Sequence, residues 1–190
     1  MTQHPSHGHR FSQIERLRSP ERVAHLLIPQ VVEAVLRGCS AETLLDVGTG
    51  SALFGEAFAQ KGLVVAGIDV NPRMLAAARL YLPEADLKQG AAEAIPFPDN
   101  AFDIVFMGLV LHETDDLLKA LQEAQRVARS CVAVLEWPYR STDFGPGIEE
   151  RLSPDEIESV RKSANLSEIT ATYFENLVLY LMETNKILNG

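Results

Sequence analysis

The sequence predicts an α/β protein: a doubly wound, mostly parallel sheet that closes on antiparallel strands, preceded by N-terminal helices. Three observations predict it. Apolar runs rich in Val, Ile and Leu alternate with helical patterns between residues 43 and 137, and runs without polar alternation are the kind buried on both faces of a parallel sheet. Repeated strand–helix units cross over right-handedly and layer helices on both faces. Finally, SEITATYF and LVLYLMET lie near the C-terminus with only Glu175 and Asn176 between them. Strands that close pair antiparallel, because a parallel pair needs a longer crossover.

The elements follow in order. Residues 1–10, MTQHPSHGHR, are polar and read as a mobile terminus; His4, His7 and His9 are too loosely spaced, with no acid, to define a metal site. Ser19-Pro20-Glu21 starts a helix with an N-cap and a proline in the first turn. Val23, Leu26, Leu27, Val31, Val35 and Leu36 give it an apolar face, Gly38 ends it, and Pro29 inside the pattern predicts a kink or two shorter helices. TLLDV is a buried strand and residues 51–60 a helix. LVVAGIDV is the second strand, followed by a helix over 72–81. ADLKQG holds a short strand, FDIVFMGLV another, with a helix over 115–128 after it, and CVAVLEW is the fifth. Residues 138–152 read as a loop around Gly145, Pro146 and Gly147. Ser153 then starts a helix to about residue 164, with Glu156 placed for a capping box. Residues 1–40 are thus an arm with helices, and residues 41–190 one domain, as expected for 190 residues.

Composition narrows the partners. The formal net charge is -9, while residues 1–40 hold five Arg against three Glu, or +2. A body this acidic lacks the clustered Lys and Arg that grip nucleic acid. Cys39 and Cys131, far apart and outside any CxxC spacing, read as reduced, semi-buried thiols of a cytosolic protein. No apolar run reaches the ~18 residues of a membrane span, and no signal-peptide core opens the chain. The expectation is a cytoplasmic protein.

In open parallel sheets, ligands bind beyond the carboxyl ends of the strands. Asp46, Gly48 and Gly50 end the first strand there, and Asp69 ends the second. Glycines let backbone approach a ligand closely; an acid at the second position accepts both hydrogen bonds of a ribose diol. The plainer alternative makes the glycines turn residues and Asp69 a helix-start acid. The dinucleotide pattern GxGxxG is not met, because Leu53 stands at its third glycine and Gly55 comes two residues late. The loop also has no Lys or Arg for a phosphate. A cationic ligand without phosphate, such as S-adenosylmethionine, suits it better.

LLDVGTGSALFGEAFA, GIDVNPRMLAAAR, QGAAEAIPFPDNAFDIVFMGLVLHE and VAVLEWP together resemble the class I S-adenosylmethionine-dependent methyltransferases, small-molecule branch, including the ubiquinone/menaquinone C-methyltransferases. The resemblance spans residues 43–137. It implies a Rossmann-like sheet of seven strands with an antiparallel seventh inserted between the fifth and sixth, and S-adenosylmethionine as cofactor. Asp46, Gly48 and Gly50 match the loop around the methionine portion, with Ala52 where the family has a third glycine. Asp69 matches the ribose acid. Val70 and Met74 correspond to adenine contacts, or are plain core. Ala91 stands where the family usually has the Asp that meets the adenine amino group; backbone at Ala91 and Ala92 is what remains, with Glu93 on the rim. Met107 and Gly108 match the carbonyls that meet the methionine ammonium.

Transfer of a methyl group from a sulfonium is an in-line displacement with a neutral leaving group, so the protein chiefly holds the reactants in line. A general base matters only where the nucleophile must lose a proton. His112, beside Glu113 in LVLHETDD, fits that role, or else shapes the pocket as a loop residue. Trp137, Tyr139 and Arg140 face the same end of the sheet, as substrate walls and an anion holder, or as lid packing. The arm around Phe11, Arg16 and Arg18 offers a cover over the cofactor. Function is therefore read as methyl transfer to a small-molecule acceptor, with no resident metal and no nucleic-acid partner. Two alternatives are a non-catalytic adenosyl-ligand binder and, further off, a nicotinamide-dependent oxidoreductase. A homodimer through the sheet edge or the N-terminal helix is compatible with the sequence.

Overall fold

The fold is a seven-stranded sheet ordered β3-β2-β1-β4-β5-β7-β6 in a computed structural model that describes residues 17–184. The strands are β1 (Thr43–Val47), β2 (Val64–Asp69), β3 (Asp86–Gln89), β4 (Phe102–Gly108), β5 (Ala128–Glu136), β6 (Thr170–Tyr173) and β7 (Val178–Glu183). β1 pairs in parallel with β2 and β4, as β4 does with β5. β7 lies antiparallel between β5 and β6, where the resemblance put it. The order reverses beside β1, which opens the crevice between the ends of β1 and β4.

Of the kink or two shorter helices that Pro29 predicts, the chain forms the two helices, α1 (Pro20–Leu26) and α2 (Ile28–Gly38). The break falls at Leu27, in the left-handed region at φ 46, two residues before the proline whose ring forbids a straight helix. α3 (Leu53–Gln60) begins two residues later than the sequence suggests, because Gly48, Gly50 and Ala52 all have positive φ and keep the loop turning. α4 (Pro72–Ala78) is also shorter, and α5 (Leu117–Val127) starts on an Asp116 cap. α6 (Pro154–Ser163) carries the expected Ser153–Glu156 capping box, with both reciprocal bonds formed.

Two apolar clusters flank the sheet. One gathers α1 to α4 around Phe54, Phe58 and Phe106; the other gathers α5 and α6 around Leu121, Val132 and Ile157. The reading of Cys39 and Cys131 as separate thiols is corrected here. Packing of α2 against the sheet brings their Cα atoms to 6.4 Å, and the two are joined as a disulfide. That distance arises only in the tertiary structure, between residues 92 apart. His4, His7, His9, Phe11 and Arg16 lie outside the described residues. Among the described residues, no helix is long and apolar enough to cross a membrane.

Candidate active site at the carboxyl ends of the strands

The loop after β1 is braced from beneath. The Asp46 side chain is buried, and Thr49 Oγ1 donates to its Oδ2 at 2.8 Å. Burial in this dry position pushes its pKa up to about 7, against the pull of the Thr49 hydroxyl and the Gly55 N–H, with Asp69 adding repulsion. Asp46 thus points inward, holding the loop to the start of α3. Gly48 is required twice: its φ is +67, and a Cβ there would stand 2.5 Å from Val110 Cγ2 on the loop after β4. The buried Ser51 hydroxyl has no hydrogen-bond partner among the described residues. An orphan of this kind in a ligand loop is what a bound polar group would satisfy.

Asp69 sits at the rim. Its Oδ2 accepts from the Gly50 N–H at 2.9 Å and its Oδ1 from the Asn71 N–H at 2.8 Å. A carboxylate has about four acceptor positions, so two remain for a diol. Burial pushes the Asp69 pKa up, while both N–H donors pull it down. Next to it, the Val70 side chain is 65% exposed, while Met74 is buried. The Gly90 N–H donates to Asp69 O, and Gln89 Nε2 to Val70 O, which lays the loop carrying Ala91 and Ala92 along the same rim. Glu93 accepts from the Asp115 N–H farther round. At the end of β4, Met107 is buried, and a Cβ on Gly108 would collide with the Phe106 ring at 2.6 Å. Leu109, at φ 59, donates to Leu135 O and turns the chain away.

His112 occupies a 3-10 turn, Leu111–Glu113, just beyond β4. Glu136, at the end of β5, closes both oxygens around it. Oε1 accepts the His112 N–H at 3.1 Å and Oε2 lies 2.7 Å from Nδ1. Burial pushes the imidazole pKa down, but the Glu136 bond and the charges of Glu136, Glu113 and Glu150 raise it above its ordinary value on balance.

The three substrate candidates separate. Tyr139 and Arg140 line a cavity of about 450 Å³ with Tyr173, Phe174 and Tyr180. Trp137 does not join them: it is buried in the cluster on the α1–α4 side, against Phe144, with Gly145 at its ring. β5 ends at Glu136, so the chain has left the strand by Trp137 and neighbours in sequence need not share a pocket. Arg151 fixes this loop. Buried, it donates to the carbonyls of Pro138, Arg140, Phe144 and Pro146 and to Thr142 Oγ1.

Arg18 reaches the loop after β1 from outside, donating to Ser51 O at 3.2 Å. Its charge is taken by Glu56 at 2.6 Å, and it stacks on Tyr81. It therefore braces the loop rather than offering a free cation for a phosphate. Glu136, Arg151 and the three aromatic residues of β6–β7 were missed in the sequence. A signal for Glu136 existed, since it ends an apolar run as Asp46 and Asp69 do.

Residues 45–133 match the family model described as a methyltransferase domain. The chain is 33% identical over 116 residues to a demethylmenaquinone methyltransferase of Renibacterium salmoninarum, covering 61% of this chain and 48% of that one. It is 39% identical over 88 residues to a malonyl-[acyl-carrier protein] O-methyltransferase of Serratia marcescens, covering 46% and 34%. The chain spans about half or less of the length of these curated relatives. The crystal structure of a SAM dependent methyltransferase from Aquifex aeolicus superposes with a TM-score of 0.77 at 26% identity, over 91% of this chain and 97% of that one. Residues 45–133 thus carry a methyltransferase domain, and the glycine loop, the rim acid and the inserted antiparallel strand, together with these likenesses, make the chain similar to the class I S-adenosylmethionine-dependent methyltransferases, the quinone methyltransferases among them.

Proposed function

We propose that the chain transfers a methyl group from S-adenosylmethionine to a small-molecule acceptor by in-line displacement, working in the cytoplasm without a nucleic-acid partner. The observation that carries this reading is Asp69: a rim carboxylate pinned by two backbone N–H groups, with two acceptor positions left and no free cation on the glycine loop beside it. When bound, the cofactor supplies an electrophilic methyl on a sulfonium whose departure leaves a neutral thioether.

The chain's own residues hold and orient. Asp69 takes the ribose diol, and Val70 with the backbone at Ala91 and Ala92 takes the adenine. Gly48, Gly50 and the Ser51 hydroxyl face the methionine portion, and the carbonyls at Met107 and Gly108 take its ammonium. Asp46 and Met74 support these from below. Alignment of this kind supplies about 7–11 kcal/mol of a barrier when positioning is good. On the acceptor side, Tyr139 and Arg140 offer an aromatic wall and a fixed cation. The cavity volume falls in the range that takes a small molecule. The names of the relatives make a quinol-like acceptor the first to try. In the cytoplasm the Cys39–Cys131 bond meets a reducing pool, so both its states belong in the assay.

Titration calorimetry with S-adenosylmethionine and S-adenosylhomocysteine tests the site, and release of S-adenosylhomocysteine across an acceptor panel tests the reaction. Micromolar binding with turnover is expected. Binding without turnover on any acceptor leaves a binding protein, and no heat with either ligand removes the assignment.

A further inference from the structure

We propose that Glu123 and Arg126 of α5 are positioning residues for the purine of the cofactor: they fix the register of the turn over residues 91–94, and with it how tightly and how selectively a base is held there. This rests on the methyl-transfer reading and adds to it the residues that give the base its place.

Ala91 and Ala92 offer a base only methyl groups and backbone. The Glu93 carboxylate is engaged at Oε1 by the Asp115 N–H at 3.0 Å. The backbone of the turn is partly used. The Ala94 N–H donates to Ala91 O at 3.1 Å, while neither the Ala92 nor the Glu93 N–H finds a partner among the described residues. An N–H of this kind donates to N1 of adenine. On a 6-oxopurine such as hypoxanthine, N1 carries a proton, so donor meets donor and both go unpaired. Reading by backbone is therefore only as sharp as the placement of the peptide.

The turn is placed from both ends. At its start, the Gly90 N–H donates to Asp69 O at 3.2 Å, which ties it to the rim acid. At its end, α5 takes both backbone groups of Ile95. The Ile95 N–H donates to Glu123 Oε2 at 2.9 Å, and Arg126 Nη2 donates to Ile95 O at 3.0 Å. Arg126 Nη1 continues along the loop to Phe97 O at 2.9 Å and Asp99 Oδ1 at 2.8 Å. The two side chains also hold each other, Nε to Oε1 at 2.9 Å and Nη2 to Oε2 at 2.8 Å. A guanidinium paired through two N–H groups has its fork fixed in direction. The Arg126 bond holds the Glu123 carboxyl below its ordinary range, so the pair is ionised at neutral pH.

The platform beneath is firm. Ala120, Leu121, Ala124 and Val127 of α5 are fully buried against the sheet. Ile95 directly follows Ala94, the partner of Ala91, so slack at Ile95 is passed to the unpaired N–H groups of Ala92 and Glu93. Apolar packing would tolerate a sliding loop, whereas carbonyls captured one by one set its register.

The test uses the full chain and titration calorimetry with two ligands that differ only in the base, S-adenosylhomocysteine and S-inosylhomocysteine. Wild type should prefer the adenine ligand. Arg126→Met and Glu123→Ala should each weaken S-adenosylhomocysteine about 10-fold, with a smaller loss for S-inosylhomocysteine, so that the ratio of the two Kd values moves toward one. Glu123→Gln, which keeps an acceptor for the Ile95 N–H, should stay closer to wild type than Glu123→Ala. Arg126→Lys, which keeps the charge without the fork, substitutes if Arg126→Met does not fold. A brace that serves folding alone would leave the ratio where it was. The proposal is overturned if the variants keep the wild-type ratio, whether both affinities fall in parallel or neither changes. It is also overturned if wild type binds the two ligands alike. Absence of S-adenosylhomocysteine binding to wild type would instead sink the methyl-transfer reading itself.

Discussion

The two ends of the sheet treat their acids in opposite ways. At the amino end, Asp103 accepts from the Glu42 N–H, the Thr43 N–H, the Thr43 hydroxyl and Arg129, which ties β1, β4 and β5 together. Those donors outweigh burial and hold its pKa at about 2. At the carboxyl end, no arginine or lysine among the described residues bonds to Asp46 or Asp69, and burial raises both. One end has its charges matched within the chain. The other leaves them short of a cation, which is the arrangement expected where a cationic ligand completes the site.

Replacing the acids one at a time tests that contrast, and the largest effect should come from Asp46. Its folded pKa, about 7, lies above the unfolded 3.8. Its contribution is thus fully present below 3.8 and lost as pH rises through 7. Asp46→Asn should flatten that decline and stabilise the protein at pH 8, by no more than about 4 kcal/mol, in urea unfolding across pH 4–8. S-adenosylmethionine affinity of the same variant should fall, since the negative charge beneath the loop is lost.

Asp69→Ala comes next. On the proposed reading it removes two charge-assisted bonds to the diol, and it should weaken cofactor binding by about 2–3 kcal/mol, seen by calorimetry. In the wild type, affinity should weaken as pH falls through the raised carboxylate midpoints. Unchanged affinity in the variant would erase the difference between the two ends.

Asp103→Asn should do the reverse. Its folded pKa is depressed, so its contribution is present above 3.8 and lost as pH falls through about 2. The loss at pH 7 should be about 1–2 kcal/mol of stability, allowing for partial exposure, with cofactor affinity intact. The smallest effect belongs to Ala52, left-handed at φ 60 and buried. Ala52→Gly relieves about 1–2 kcal/mol of backbone strain but forfeits a buried methyl of about 0.8 kcal/mol and adds chain entropy. The net change should be under about 1 kcal/mol in thermal unfolding.

Much of this was legible because it is local. Strand and helix order follows apolar period, and the glycines with Asp46 and Asp69 stand out as acids closing apolar runs. What the sequence hid depends on elements meeting in space. Glu136 carries the same mark as Asp69, but its meaning comes from His112, 24 residues away. Trp137 and Tyr139 lie past the end of β5, where the loop's path rather than strand period sets their different surroundings. Arg151 acts through carbonyls, which no residue type announces. Cys39 and Cys131 meet only because α2 lies on the sheet.

One short segment remains in contact with both halves of the crevice. Arg18 clasps the loop after β1 at Ser51 and the start of α3 at Glu56, while His25, seven residues on, stacks against Phe144 of the loop after β5 at 4.2 Å. Two loops at the same end of the sheet are thereby tied to one N-terminal segment, and because the Arg18–Glu56 contact is ionic, added salt should loosen its hold on the loop after β1.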